Sequence, residues 1–167
     1  MRLPDPLKLK AHDAEDLAVV AAVAQDALVP VREMAYQPAD RRFVLVLNRF
    51  GWDRANKDDL LADRDASDRL ASGRDAPFWD TADQAPYERT LAGLTFEMVD
   101  AVQTRGIDLR HRDRILELLT VRAEPGAVLL VFSGDATIRL DVAEISCYLE
   151  DFGASWPTRV LPRHTED

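Results

Sequence analysis

The chain holds a single cysteine, Cys147, so it has no internal disulfide and no cysteine pair for a zinc site. Long apolar runs are missing as well. None approaches the roughly 18 residues that would mark a membrane-spanning helix. The opening "MRLPDPLKLKAHDAEDL" lacks the unbroken apolar stretch of a secretory signal, which leads us to expect a cytoplasmic protein. Positive charge is in short supply. There are 21 Lys and Arg against 30 Asp and Glu, a formal net charge of −9 and a pI near 4.8. Affinity for nucleic acid rests largely on cations neutralising phosphates, so no nucleic-acid partner is expected.

Motifs with a known mechanism are absent too. The phosphate cradles GxxxxGK[ST] and GxGxxG do not occur, nor does the GxSxG elbow of a serine nucleophile. His12, His111 and His164 show neither HxH nor HxxxH spacing. No metal and no cofactor is therefore expected. Cys147 falls among apolar neighbours, where a cysteine usually serves as a small buried hydrophobe.

What is present suits one domain of 167 residues. Hydrophobic residues make up 47% of it, enough for a core without cross-links. The "LKLKA" stretch fits a short edge strand. "HDAEDLAVVAAVAQDAL" reads as a helix, with Asp13 as N-cap, Asp16 three residues on, and Leu17, Val20, Ala21 and Ala24 on one face. "LVPVREMAYQP" and "RRFVLVLNRFGW" read as strands joined by a turn at Pro38, Ala39 and Asp40. The unbroken apolar run from Phe43 to Leu47 predicts burial on both faces. A long acidic loop or insertion is expected at about 53–89, with one frayed helical turn near Leu60.

"ERTLAGLTFEMVDAVQTRGIDL" returns to strand, with a bend near Val99 and a turn at Gly106. Pro125-Gly126 and Gly134-Asp135 then divide the next segment into a three-strand meander. Ile145, Tyr148, Leu149 and Phe152 follow i, i+3, i+4, i+7 spacing. With Asp141 and Glu144 before them and Gly153 after, they predict an amphipathic helix over about 141–153. The expected class is α+β. It is a largely antiparallel sheet or partly open, pleckstrin-homology-like barrel, with an N-terminal helix and a C-terminal amphipathic helix.

Five stretches, "LKLKAHDAEDLAVVAA", "RRFVLVLNRFGWD", "QTRGIDL", "ATIRLDV" and "SWPTRVLPRH", together resemble the DUF2948 family of uncharacterised bacterial proteins, mainly alphaproteobacterial. The resemblance covers almost the whole chain apart from the acidic segment. It implies a bacterial cytoplasmic setting and brings no catalytic residues with it.

Candidate chemistry gathers at strand ends. Asn48, Arg49, Trp52 and Asp53 leave the apolar run together, and Arg105 and Asp108 sit at another strand end. An amide, guanidinium groups, an indole and carboxylates at one rim can bind a small anion or a protein partner. The plainer reading is that Arg49 pairs with Asp53 or Asp108 and Trp52 covers the core edge. Trp156, followed by Pro157 and Arg159, is a further candidate interface anchor. In the acidic segment, Asp58, Asp59, Asp63, Asp65 and Asp68 alternate with Arg54, Lys57, Arg64, Arg69 and Arg74, as a solvated loop does.

The leading expectation is a non-catalytic binding or interaction module, with a protein or small anionic ligand as partner. One alternative is an enzyme with a site around Arg49, Trp52, Asp53 and Arg105. The other is a protein whose acidic loop binds a basic partner.

Overall fold

The computed structural model describes residues 6–51 and 87–158. Trp52, Asp53, the acidic segment as far as residue 86, and the end of the tail lie outside them.

Chain order is β1 (Lys8–Ala11), α1 (Ala14–Ala24), β2 (Leu28–Pro30), β3 (Met34–Gln37), β4 (Arg42–Phe50), β5 (Tyr87–Phe96), β6 (Val99–Arg105), β7 (Ile115–Glu124), β8 (Ala127–Phe132), β9 (Ala136–Val142) and β10 (Cys147–Thr158). Short 3-10 turns at Val31–Glu33 and Pro38–Asp40 separate β2 from β3 and β3 from β4. Among the described residues the fold is thus mostly antiparallel sheet with one α-helix. The strands lie in the order β1-β10-β5-β4-β2-β7-β8-β9-β6, with β3 added beside β4. Among the described residues both ends of that path stay open, and the sheet does not close into a barrel.

Several local signals act as their chemistry requires. Asp13 is the N-cap of α1, and its side chain accepts the Asp16 N–H at 2.7 Å. Leu17, Val20 and Ala24 are buried against the sheet. Gly126 (φ 71°) closes the β7–β8 turn. Gly134 and Asp135 are both left-handed (φ 73° and 59°), which fits a tight hairpin between β8 and β9.

β4 alternates as a strand under a one-sided core does. Phe43, Leu45, Leu47 and Arg49 are buried on one face, while Val44, Val46 and Asn48 are half-buried on the other. Burial on both faces holds only at Phe50. Leu45 lies opposite Leu94, which lies opposite Leu149, which lies opposite Leu9, so one apolar rung crosses four strands. The segment assigned to the acidic insertion ends earlier than its composition suggests, because β5 begins at Tyr87.

The C-terminal amphipathic helix is not formed. Residues 147–158 are β10, held between β1 and β5. Cys147, Leu149 and Asp151 point inward; Glu150 and Phe152 are exposed and Tyr148 is half-buried. The true period is two, and an inward carboxylate disguised it. Without that helix, the element order of a pleckstrin-homology-like barrel is not reproduced among the described residues.

Candidate functional site

The strand rim singled out by sequence takes a different form in three dimensions. Arg49 is fully buried (0% exposed) on the core face of β4. Its Nε donates to Asp151 Oδ1 at 2.7 Å and its Nη2 to Asp151 Oδ2 at 2.6 Å. Arg49 lies opposite Thr90 and Asp151 opposite Ala92, so the guanidinium reaches diagonally across β5. The Asp151 carboxylate also accepts the Leu7 N–H at 3.2 Å, and its own N–H donates to the Leu7 carbonyl. Among the described residues the carboxylate partner of Arg49 is Asp151 and not Asp108, and the pair ties β4, β10 and the start of β1 together.

Asn48 faces outward. Its side-chain and main-chain oxygens both accept from Arg89 Nη1, at 3.3 and 3.4 Å. The Arg89 guanidinium lies 5.8 Å from the centre of the Phe50 ring, a cation–π contact. Burial pushes the Arg89 pKa down, while the charges of Asp26 and Glu117 oppose that shift. Trp156 lies opposite Arg89 in the β10–β5 register.

Arg105 ends β6 near the β8–β9 turn. Asp108 Oδ1 accepts the Arg110 N–H at 3.0 Å and the Arg110 Nε at 3.2 Å, and Oδ2 lies 3.4 Å from His111 Nε2. The Arg110 backbone N–H, then its side chain, hold the Asp108 carboxyl below the usual carboxylate range. Neither Arg105 nor Asp108 is a described partner of Arg49. Trp52 and Asp53 fall outside the described residues.

A more enclosed site lies elsewhere, where β3 faces β6. Among the described residues β3 pairs only with β4, and β6 only with β9, so two strand edges flank a seam. One end of the seam is shut. Tyr36 Oη donates to the Val99 carbonyl at 2.9 Å, the Val99 N–H donates to the Arg41 carbonyl at 2.8 Å, and Arg41 pairs with Asp100 at 2.7 Å. The other end is crossed by the segment after Gly106. There Val31 N–H donates to the Arg114 carbonyl and Arg32 N–H to the Arg112 carbonyl. Gly106 (φ 73°) begins this crossing, and a Cβ there would meet the Asp135 carbonyl oxygen at 2.5 Å.

Between the two ends is a cavity of about 360 Å³. Phe43, Ile138 and Val31 form its buried floor; Met34, Ala35, Tyr36 and Val102 form its walls. Leu109, 56% exposed, Thr104 and Arg112 also line it and are exposed. Residues 105–114 carry four arginines against two aspartates in a chain of net charge −9. This cavity falls within the usual size range of small-molecule sites, and its apolar lining with few polar groups is typical of them. Sequence reasoning missed it because its residues come from five separate stretches. The one available signal was the basic run "RHRDR" at 110–114, set against the acidic background.

A second groove, about 590 Å³, lies between the alanine-rich face of α1 and β7, lined by Ala14, Ala18, Ala21 and Val121 among others. Among the described residues no group of three or more His, Cys, Asp or Glu is placed to hold a metal ion. No helix there is long and apolar enough to cross a membrane. Cys147 is buried, and burial pushes its thiol up to about 12.

The family model described as "Protein of unknown function (DUF2948)" matches residues 7–164. The chain belongs to the DUF2948 family. That match spans β1 through β10 and includes every residue lining the seam. No curated protein and no solved structure matches this DUF2948 chain.

Proposed function

We propose that this DUF2948 protein is a non-catalytic binding module of the bacterial cytoplasm that takes a small ligand into the β3–β6 seam. The observation that carries this reading is the cavity itself. It is apolar at its base, shut at one end by Tyr36 and Val99, bridged at the other by backbone hydrogen bonds, and lined by one guanidinium. A peptide running through the seam as an added strand would have to displace both closures, so a compact molecule fits better than an extended chain. Arg49 does not favour a rim site, because its guanidinium is buried against Asp151.

The test is occupancy of the cavity. Native mass spectrometry of protein purified under gentle conditions, with a small-molecule thermal-shift screen, is run on wild type and on Thr104→Trp. Thr104 is exposed and lines the cavity, so an indole there fills it without entering the core. A retained or stabilising compound lost in Thr104→Trp is the expected result. Ligands that bind wild type and Thr104→Trp alike would overturn the placement.

A further inference from the structure

We propose that the seam selects a monocarboxylate with a compact apolar body, the carboxylate held by Arg112. This deepens the binding reading and rests on it. Arg112 lines the cavity, and among the described residues its side chain has no ion pair. The neighbouring acids are otherwise engaged or turned away. Asp108 is held by Arg110 and His111, and Asp113 is fully exposed and lies 3.9 Å from Arg32. Glu33 also lies 3.9 Å from Arg32. The Arg112 side chain is thus available to an anion, while its backbone carbonyl holds Arg32 and fixes its place.

The donor set selects the head group. A planar guanidinium matches a carboxylate bidentately. The Thr104 hydroxyl is the other polar side chain at the exposed side. The Tyr36 hydroxyl is already donating to Val99, so it adds no further donor. One fork and one hydroxyl suit a single negative charge better than a dianionic phosphate, which draws in more donors. The body follows from the walls. Met34, Phe43, Val102 and Ile138 offer no hydrogen bonds from their side chains, so a polyhydroxylated or zwitterionic molecule would bury unpaired polar groups there. The volume of about 360 Å³ equals roughly a dozen waters at about 30 Å³ each, enough for a body of about ten non-hydrogen atoms.

Octanoate and 3-phenylpropionate are the probes, with octanamide and 3-phenylpropionamide as uncharged counterparts and octyl phosphate as the dianion. Binding is followed by calorimetry and by amide NMR shifts on wild type, Arg112→Gln and Thr104→Trp. The Arg112 side chain makes no described structural bond, so Arg112→Gln should melt where wild type does. An acid should bind at least roughly tenfold more tightly than its amide, in line with a charge-assisted hydrogen bond. It should shift the amides of Tyr36, Val102 and Ile138, and lose its advantage in Arg112→Gln. Octyl phosphate binding more tightly than octanoate would overturn the head-group assignment. Amides binding the seam as well as acids, or Arg112→Gln keeping full preference for acids, would overturn the carboxylate selection and leave the binding reading standing. No probe shifting any seam amide, together with no retained compound in the purified protein, would overturn both.

Discussion

Removing one member of the Arg49–Asp151 pair should damage this protein more than removing both. In Arg49→Met, the Asp151 carboxylate keeps the Leu7 N–H at 3.2 Å and loses two charge-assisted bonds at 2.7 and 2.6 Å. The two side chains are only 0% and 3% exposed, so water cannot replace what is lost. Breaking a buried pair by removing one partner costs about 3–5 kcal/mol. Against a typical total of about 5–15 kcal/mol, that is a large share, and at about 2–4 °C per kcal/mol it lowers Tm by about 6–20 °C. The double variant Arg49→Met/Asp151→Leu removes both charges of the pair. It leaves the Leu7 N–H without its side-chain acceptor, a loss of about 1 kcal/mol. A double-mutant cycle by urea denaturation, followed by far-UV circular dichroism, should therefore show the double variant more stable than Arg49→Met alone. A cost below about 1 kcal/mol for Arg49→Met would refute the reasoning. It would mean that Asp151 is not inside the sheet and that the β10 register is wrong.

Leu149→Ala should cost about 2–5 kcal/mol, because Leu149 is 1% exposed at the centre of a four-strand rung. Phe152→Ser should cost much less, since Phe152 is 44% exposed on the opposite face; equal losses in denaturant melts would restore the helical stripe. Cys147 should resist iodoacetamide at neutral pH in the native protein and react once unfolded. Its folded pKa of about 12 lies above the ordinary 9.0, so its contribution to stability is intact below pH 9 and is lost as pH rises towards 12. A Cys147→Ala variant should lose less stability than wild type over that alkaline range in a pH series of melts. Asp13→Ala should cost about 1 kcal/mol by removing the cap of α1, and an unchanged melt would mean that the helix start lies elsewhere.

Local chemistry made much of this fold legible. The Asp13 cap, the turn at Pro38–Asp40, the Pro125-Gly126 and Gly134-Asp135 turns and the Phe43–Leu47 strand each rest on contacts within a few residues. Their conformations follow from donors, sterics and alternation that the sequence carries in place. The error over 141–153 is equally physical. Ile145, Tyr148, Leu149 and Phe152 satisfy a helical period, and the inward parity of the strand includes Asp151, a residue type rarely buried unless paired. Its inward position depends on Arg49, 102 residues away, which no local pattern contains. Two flanking strands, β1 and β5, then supply the backbone partners that hold the segment extended.

The candidate site was legible in pieces only. Sequence marked Arg49 as unusual because a cation ends an apolar strand, and its exact role came from the partner across β5. The sequence by itself determined an acidic, sheet-rich chain of the DUF2948 family, one capped helix and the positions of its tight turns, because those depend on composition and on neighbours in the chain. Only the tertiary structure decided that Arg49 lies inside, that residues 147–158 are a strand, and that Tyr36, Val102 and Arg112 border one cavity. Each of those depends on which distant strand edges meet, and strand pairing over long separations is set by the global burial of apolar faces rather than by any local preference.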